Sequence, residues 1–414
     1  MPIAIRCWDG SEFGAADAPM RVIFHRRRAL RRLVWAPNEL GLARGYVSGD
    51  LDFDGDLFEG LRAIEHLLGD VAEPSAEVAS SLRRSAVRTA LRVGALGPPP
   101  PRPAEEAVLH GLRHSRRRDT QAIAHHYDIG NEFYRHVLGE AMTYSCAYWK
   151  QEPSPSFGLV EAQRAKFDLI AAKLGLRKGM RVLDVGCGWG SFALHVAARY
   201  GVSVVGVTLS QEQADYARHA ATAAGLSDRV DIRIQDYRDI TDGPFDAIAS
   251  IGMAEHVGES MLTTYSAALF ALLRPQGRLL NHAISHRPSG DRATATSTFI
   301  DRYVFPDGEL VPVAQMIGVL EDSGFEVRDV ESLREHYALT LRAWLRNLEQ
   351  NWTEAVTASS AARARIWRLY MTGSTLAFES NRMGVNQVLA VKADNQGHSG
   401  LPRTRTALPS PETN

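Results

Sequence analysis

The sequence predicts an α/β protein, a parallel, doubly wound, Rossmann-like sheet preceded by a smaller N-terminal domain. From Met180 onward short apolar strands alternate with amphipathic helices, the pattern of successive βαβ units. A glycine-rich turn, Val182-Leu-Asp-Val-Gly-Cys-Gly-Trp-Gly190, joins the first of those strands to a helix. The run Gly97-Pro-Pro-Pro-Pro-Arg-Pro103 is barred from helices and central strands, so it separates two parts of the chain. A length of 414 residues leaves room for at least two domains of about 100–200 residues each.

The expected organisation is therefore an N-terminal accessory domain over 1–94, a Pro- and Arg-rich linker over 95–119, the α/β domain over 120–392 and a disordered polar tail over 393–414. Within the first part, Ser48-Gly-Asp-Leu-Asp-Phe-Asp-Gly-Asp56 alternates carboxylates. The Glu that closes an EF-hand loop is missing, so a turn is expected there and no metal. Ile123–Tyr134 reads as helix, turn, helix, and Glu161–Leu174 as a helix capped by Gly175. Strands follow at Arg181–Val185, Ser203–Thr208, Val230–Gln235 and Phe245–Ile251, with helices at Ser191–Tyr200 and Gln211–Ala224 between them. Ala267–Leu273, Arg278–His282, Val313–Ser323 and Glu326–Ser332 continue the alternation. The chain is helical from Tyr337 to Phe378, and Val385–Lys392 is a late antiparallel strand.

Composition narrows the function. A hydrophobic fraction of 45% and a charged fraction of 23% fit a globular protein. No apolar run reaches the ~20 residues that cross a bilayer, Met1–Gly10 lacks a secretory profile, and a cytoplasmic location is expected. Cys7, Cys146 and Cys187 are too few for a disulfide framework or zinc cluster. The net charge of −1 argues against nucleic-acid binding. Two arginine clusters, one at Arg21, Arg26, Arg27, Arg28, Arg31 and Arg32, the other at Arg116, Arg117 and Arg118, read either as solvated faces or as contacts to anionic headgroups on the inner face of a membrane.

The glycine turn carries the cofactor argument. Gly186, Gly188 and Gly190 are spaced G-x-G-x-G, not the G-x-G-x-x-G of dehydrogenases, and Asp184 stands at the end of the strand. A pyrophosphate needs no carboxylate there, whereas a cofactor with a cationic amino-acid tail does. That cofactor is S-adenosylmethionine, and the fold becomes a class I methyltransferase sheet. At the next strand ends Thr208 and Gln213 are polar candidates for the ribose. Asp236 is placed for the adenine amino group, with Tyr237 beside the ring.

Five separated motifs now resemble one family. His126–Tyr134, Thr143–Trp149, the glycine turn, Gly252-Met-Ala-Glu-His-Val-Gly258 and Phe305-Pro-Asp-Gly308 are similar to those of cyclopropane fatty acid synthases and the related mycolic acid methyltransferases, over about residues 120–392. The resemblance implies a helical lid, with Tyr144 and Ser145 closing over the methionine end of the cofactor. It also implies a bound bicarbonate as general base, held by Cys146, Glu255, His282, the backbone at Ile284, and Tyr337. Ala254 departs from the aromatic residue common in the family and implies a wider acyl tunnel. The N-terminal motifs, Trp8-Asp-Gly-Ser11 among them, resemble the extra domain of longer members, including enzymes that make tuberculostearic-type acids.

The implied reaction transfers a methyl or methylene group to the double bond of an unsaturated acyl chain in a membrane phospholipid. The product is a cyclopropane or a mid-chain methylene or methyl branch, the latter calling for a separate reductase as partner. A homodimer is compatible with the sequence. Rival readings are methylation of a soluble small molecule or carrier-bound acyl chain, and a non-catalytic lipid-binding paralogue. His256 reads as a structural hydrogen-bonder and Cys187 as a small residue that fits its turn.

Overall fold

The computed structural model describes residues 3–69, 88, 91–92, 97–107, 113, 115–127, 129–287 and 298–404. Two units divide the chain. One takes Met1–Val108, Ser297–Val304 and Ser359–Leu376; the other takes Leu109–Thr296, Phe305–Ala358 and Ala377–Asn414.

In the first unit β1 (Ile3–Arg6), β2 (Glu12–Phe13), β3 (Met20–Phe24) and β4 (Leu51–Gly55) form a sheet in the order β2-β1-β3-β4. The acidic segment expected to be a turn is largely β4. Its residues alternate with period two, so Leu51 and Phe53 join Met20, Val22 and Phe24 in the core while the intervening carboxylates face away. Those carboxylates meet arginines. Asp50 is fully buried between Arg28 and Arg32, with Ser48 donating to it, and Asp52 pairs with Arg365 at 2.8 Å. Asp56 accepts from the N–H groups of Phe58 and Glu59, capping the helix Leu57–Gly69.

The same pairing changes the reading of the arginine clusters. Arg28 and Arg32 turn inward to Asp50, Arg116 pairs with Asp239, and Arg118 with Asp307; Arg26 and Arg27 remain exposed. The Pro-rich stretch is held down too, because Arg32 donates to the Pro101 carbonyl, Trp35 Nε1 to the Gly97 carbonyl, and Arg44 to the Glu106 carboxylate. Helix Arg116–Tyr127 begins inside the segment expected to be linker.

Among the described residues the second unit carries seven strands: β5 (Arg181–Val185), β6 (Ser203–Thr208), β7 (Val230–Ile234), β8 (Phe245–Ile251), β9 (Leu273–His286), β10 (Glu326–Ser332) and β11 (Met383–Val391). Their order is β10-β11-β9-β8-β5-β6-β7. β5 to β9 pair in parallel, and β11 runs antiparallel between β9 and β10. Successive residues feed opposite faces: Val182 and Val204 pack with Phe167, Ile170 and Val196, whereas Leu183 and Val205 pack with Phe245, Tyr265 and Leu269. Both faces are covered by helices, so the strands read as apolar runs. After β11 the chain does not lose order at 393 as expected. Asp394 accepts from the N–H groups of Gln396 and His398 and from the Gln276 amide, making a fixed turn; 405–414 lie outside the described residues. Among the described residues no helix is long and apolar enough to cross a membrane.

Candidate active site

A cavity opens where β5, β6, β7 and β8 end. It is lined by Tyr144, Ser145, Asp184, Gly186, Gly188, Thr208, Gln213, Asp236 and Tyr237, nine of the ten residues expected around the cofactor. Gly186 and Gly188 have φ of 77° and 56°, a region that a side chain disfavours. A Cβ on Gly188 would meet nothing nearer than Gln213 Nε2 at 4.0 Å, so the backbone there is bare toward the cavity. Gly190, the tenth, does not line it. A Cβ there would come within 2.9 Å of the Ala217 Cβ, so this glycine serves the packing of two helices instead.

Asp184 is buried, and its Oδ2 has no hydrogen-bond partner among the described residues. Burial pushes its carboxyl up to about 7, against the pull of Lys166. Lys166 lies on the helix Leu159–Leu174, is itself fully buried, and is pushed down to about 7 by that burial. Its Nζ donates to Ser145 Oγ at 2.7 Å, and Gln163, one turn earlier, donates to the Ser145 carbonyl at 2.9 Å. One helix thus grips Ser145 from two sides. The flanking segment is fixed as well: Ala147 N–H donates to Thr340 Oγ1 and Trp149 N–H to His336 Nδ1. The donor set fits an amino-acid tail, with Asp184 for an ammonium and Ser145 beside Lys166 for a carboxylate.

At the other end Thr208 Oγ1 donates to Gln213 Oε1 at 2.9 Å. Asp236, expected to be open for an adenine amino group, is already bound by Arg238 through Nε at 2.8 Å and Nη2 at 2.6 Å; Arg238 also reaches Asp119. A ligand there shares the Asp236 carboxylate with a guanidinium. Tyr237 packs edge-on against Tyr265, ring centroids 5.7 Å apart. Trp189 Nε1 donates to Asn131 Oδ1, tying the glycine turn to the helix Asn131–Leu138.

The residues expected to hold the base are not on the lining of this cavity. Glu255 Oε1 accepts the Ile284 N–H at 2.8 Å, and His282 lies two residues earlier on β9, on the same face as Ile284. The Ile284 N–H is therefore engaged by Glu255, not free for a bound anion. Glu255 Oε2 and His282 Nε2 are shielded from water and lack partners among the described residues. Burial raises the Glu255 carboxyl to about 7 and holds His282 well below its usual range, with Lys166 and Lys173 adding to the second effect. Cys146 Sγ faces the carbonyls of Ala147 and Leu333, and burial keeps it a neutral thiol. Tyr337 packs on Phe378 at 4.7 Å and on Trp344 at 6.0 Å, and Trp344 stands 5.2 Å from Tyr144.

Sequence reasoning missed Lys166, Gln163 and Arg238. A lysine among the buried apolar positions of the helix Leu159–Leu174, beside Ala162, Ala165 and Phe167, was the signal for Lys166. His256, expected to be structural, lines the cavity, and burial lowers its ring to about 4. Ala254, read as an acyl-tunnel position, belongs to the core with Val257 and Leu262.

The profile of the mycolic acid cyclopropane synthetase family matches residues 114–388. A probable fatty acid methyltransferase of Mycobacterium tuberculosis is 42% identical over 97% of this chain and 93% of its own length. The tuberculostearic acid methyltransferase of the same organism is 34% identical over 94% and 87%. The cyclopropane-fatty-acyl-phospholipid synthase of Escherichia coli is 38% identical over 66% and 68%. Among solved structures, a mycolic acid cyclopropane synthase complexed with SAH and CTAB has a TM-score of 0.62 and 32% identity, over 66% of this chain and 97% of the other. With its seven-stranded sheet and glycine-lined cavity, the chain belongs to the mycolic acid cyclopropane synthetase family of S-adenosylmethionine-dependent C-methyltransferases.

Proposed function

We propose that this enzyme methylates the double bond of an unsaturated acyl chain carried by a membrane phospholipid. The observation that carries the reading is the pair of orphaned polar atoms, Glu255 Oε2 and His282 Nε2, buried off the lining of the cofactor cavity. Unpartnered buried polar atoms cost roughly 1–3 kcal/mol each, and a small hydrogen-bonding anion such as bicarbonate satisfies both. Glu255 Oε2 accepts its O–H and His282 donates to its oxygen. Tyr337 and Cys146 are proposed as neighbours of that site.

S-adenosylmethionine bound along the glycine turn supplies an electrophilic methyl group, and bicarbonate supplies the proton acceptor. The protein excludes water and holds the reactants. An alkene is a weak nucleophile, so alignment in a dry site is the main requirement. Tyr144, which lines the cavity, offers an aromatic ring to positive charge developing on the acyl chain. Removal of a methyl proton closes a cyclopropane; a hydride shift first leaves a methylene branch for a separate reductase. Similarity over 94% of this chain to a tuberculostearic acid methyltransferase supports the branched product.

Labelled S-adenosylmethionine incubated with vesicles of monounsaturated phospholipid, followed by mass analysis of released acyl chains, tests the reading. Acyl chains one carbon heavier are expected, at a rate that falls when carbonate is stripped and returns when it is restored. Label confined to free or carrier-bound acyl chains would overturn the phospholipid assignment, and indifference to carbonate the base assignment.

A further inference from the structure

Three strands and one helix converge behind His282. Gln387 on β11 faces His282 on β9 across the sheet, and Glu331 on β10 faces Gln387 from the other side. Lys173, from the helix Leu159–Leu174, lies over this row. Its Nζ donates to Gln387 Oε1 at 2.9 Å and to Glu331, and stands 3.4 Å from Asp329 Oδ2. Gln387 Nε2 then faces His282 Nδ1 at 3.3 Å. Gln387 is fully buried and His282 is 1% exposed, so water does not relieve a mismatched pair.

We propose that Gln387, oriented by Lys173, is a positioning residue that fixes His282 as the neutral tautomer protonated on Nε2. The logic is a chain of donors and acceptors. An ammonium only donates, so the amide atom facing Lys173 is the oxygen. The amide nitrogen, which also only donates, therefore faces His282, and Nδ1 accepts through its lone pair. The imidazole proton is left on Nε2, the orphaned atom, because the hydrogen bond made by one ring nitrogen sets the state of the other. A second ring proton is opposed by burial and by the positive charges of Lys166 and Lys173. Glu331 and Asp329 compensate Lys173, so the row needs no charge on the histidine. A fixed Nε2–H presents a donor to an anion's oxygen. Reversal of the amide would present a lone pair and repel that anion. Only this last use rests on the proposed function; the tautomer follows from the row itself.

The test reads the ring directly. In full-length protein labelled with ¹⁵N-histidine, two-bond ¹H–¹⁵N correlation spectra distinguish the tautomers, and the His282 signals are those lost in His282→Gln. The wild type is expected to be neutral with its proton on Nε2. Gln387→Glu puts an acceptor opposite Nδ1 and moves the proton there, with turnover falling at least ~10-fold, in the range typical of a lost orienting partner, and cofactor affinity unchanged. Lys173→Met frees the amide to turn and gives both tautomers. A wild-type ring protonated on Nδ1, or a ring indifferent to both substitutions, overturns the proposal; the wild-type spectrum alone decides it if the variants fail to fold. A proton that moves to Nδ1 without loss of turnover upholds the row and refutes the base assignment instead.

Discussion

Glu255→Gln separates the electrostatics of the site from its shape. The glutamine keeps an oxygen to accept the Ile284 N–H, which Glu255 Oε1 accepts at 2.8 Å, and replaces Oε2, the orphaned atom, with an uncharged amide. Burial raises the Glu255 carboxyl from 4.5 to about 7. A carboxyl whose folded value is raised favours the folded state below its unfolded value, near 4.5, and that advantage is lost as pH climbs through about 7. At ~1.4 kcal/mol per unit, the swing is about 3 kcal/mol. The variant lacks it. Guanidinium unfolding of both proteins at pH 5 and pH 8, without cofactor, is therefore expected to show the Glu255→Gln variant gaining about 2.5 kcal/mol on the wild type between the two conditions, since part of the swing is already lost at pH 5. Other titrating groups are common to both proteins and cancel. Turnover of the variant falls at least ~100-fold while cofactor affinity holds, as for a group acting in proton transfer. Parallel stability curves would refute the raised carboxyl, and near-normal turnover would refute its role in catalysis.

Asp184→Asn is expected to weaken S-adenosylmethionine binding sharply and to remove a pH dependence. The raised Asp184 carboxyl, at about 7, must ionise to meet an ammonium, so wild-type affinity by calorimetry rises with pH toward 7 and levels above it, whereas the variant shows a flat profile. Asp50→Ala leaves Arg32, whose side chain is 4% exposed, without its carboxylate; breaking such a buried pair costs about 3–5 kcal/mol, and thermal melts that stay at the wild-type midpoint would contradict it. Binding to anionic vesicles is expected to fall with salt and with Arg26→Gln plus Arg27→Gln, the two exposed cations of their cluster; sedimentation that ignores both would leave them as ordinary surface charge.

What the sequence determined by itself was whatever a few neighbouring residues decide. The bounds of β5, β6 and β8 and of the helix Ser191–Tyr200 were read correctly because apolar period and glycine position are local signals. The glycine turn and Asp184 pointed to the cofactor for the same reason, since these residues lie within one strand end and one turn. Local reading failed where a partner comes from far along the chain. Ser48–Asp56 was read as a turn because its alternating carboxylates lack the Glu that closes an EF-hand loop, yet Asp52 pairs with Arg365, 313 residues away, and Asp50 is buried by Arg28 and Arg32. Gly190 looked like its two neighbours in the motif, but only the approach of Ala217 shows that it packs helices rather than ligand. Lys173 and Gln387 each read as an ordinary helix or strand residue, and His282 was singled out only by the family resemblance; Lys173 and Gln387 are 214 positions apart, and only the insertion of β11 between β9 and β10 brings them into one row with it. Periodicity specifies which face of an element is buried, whereas the partner that a buried polar atom finds, and hence its protonation, is set by strand order, which no local pattern encodes.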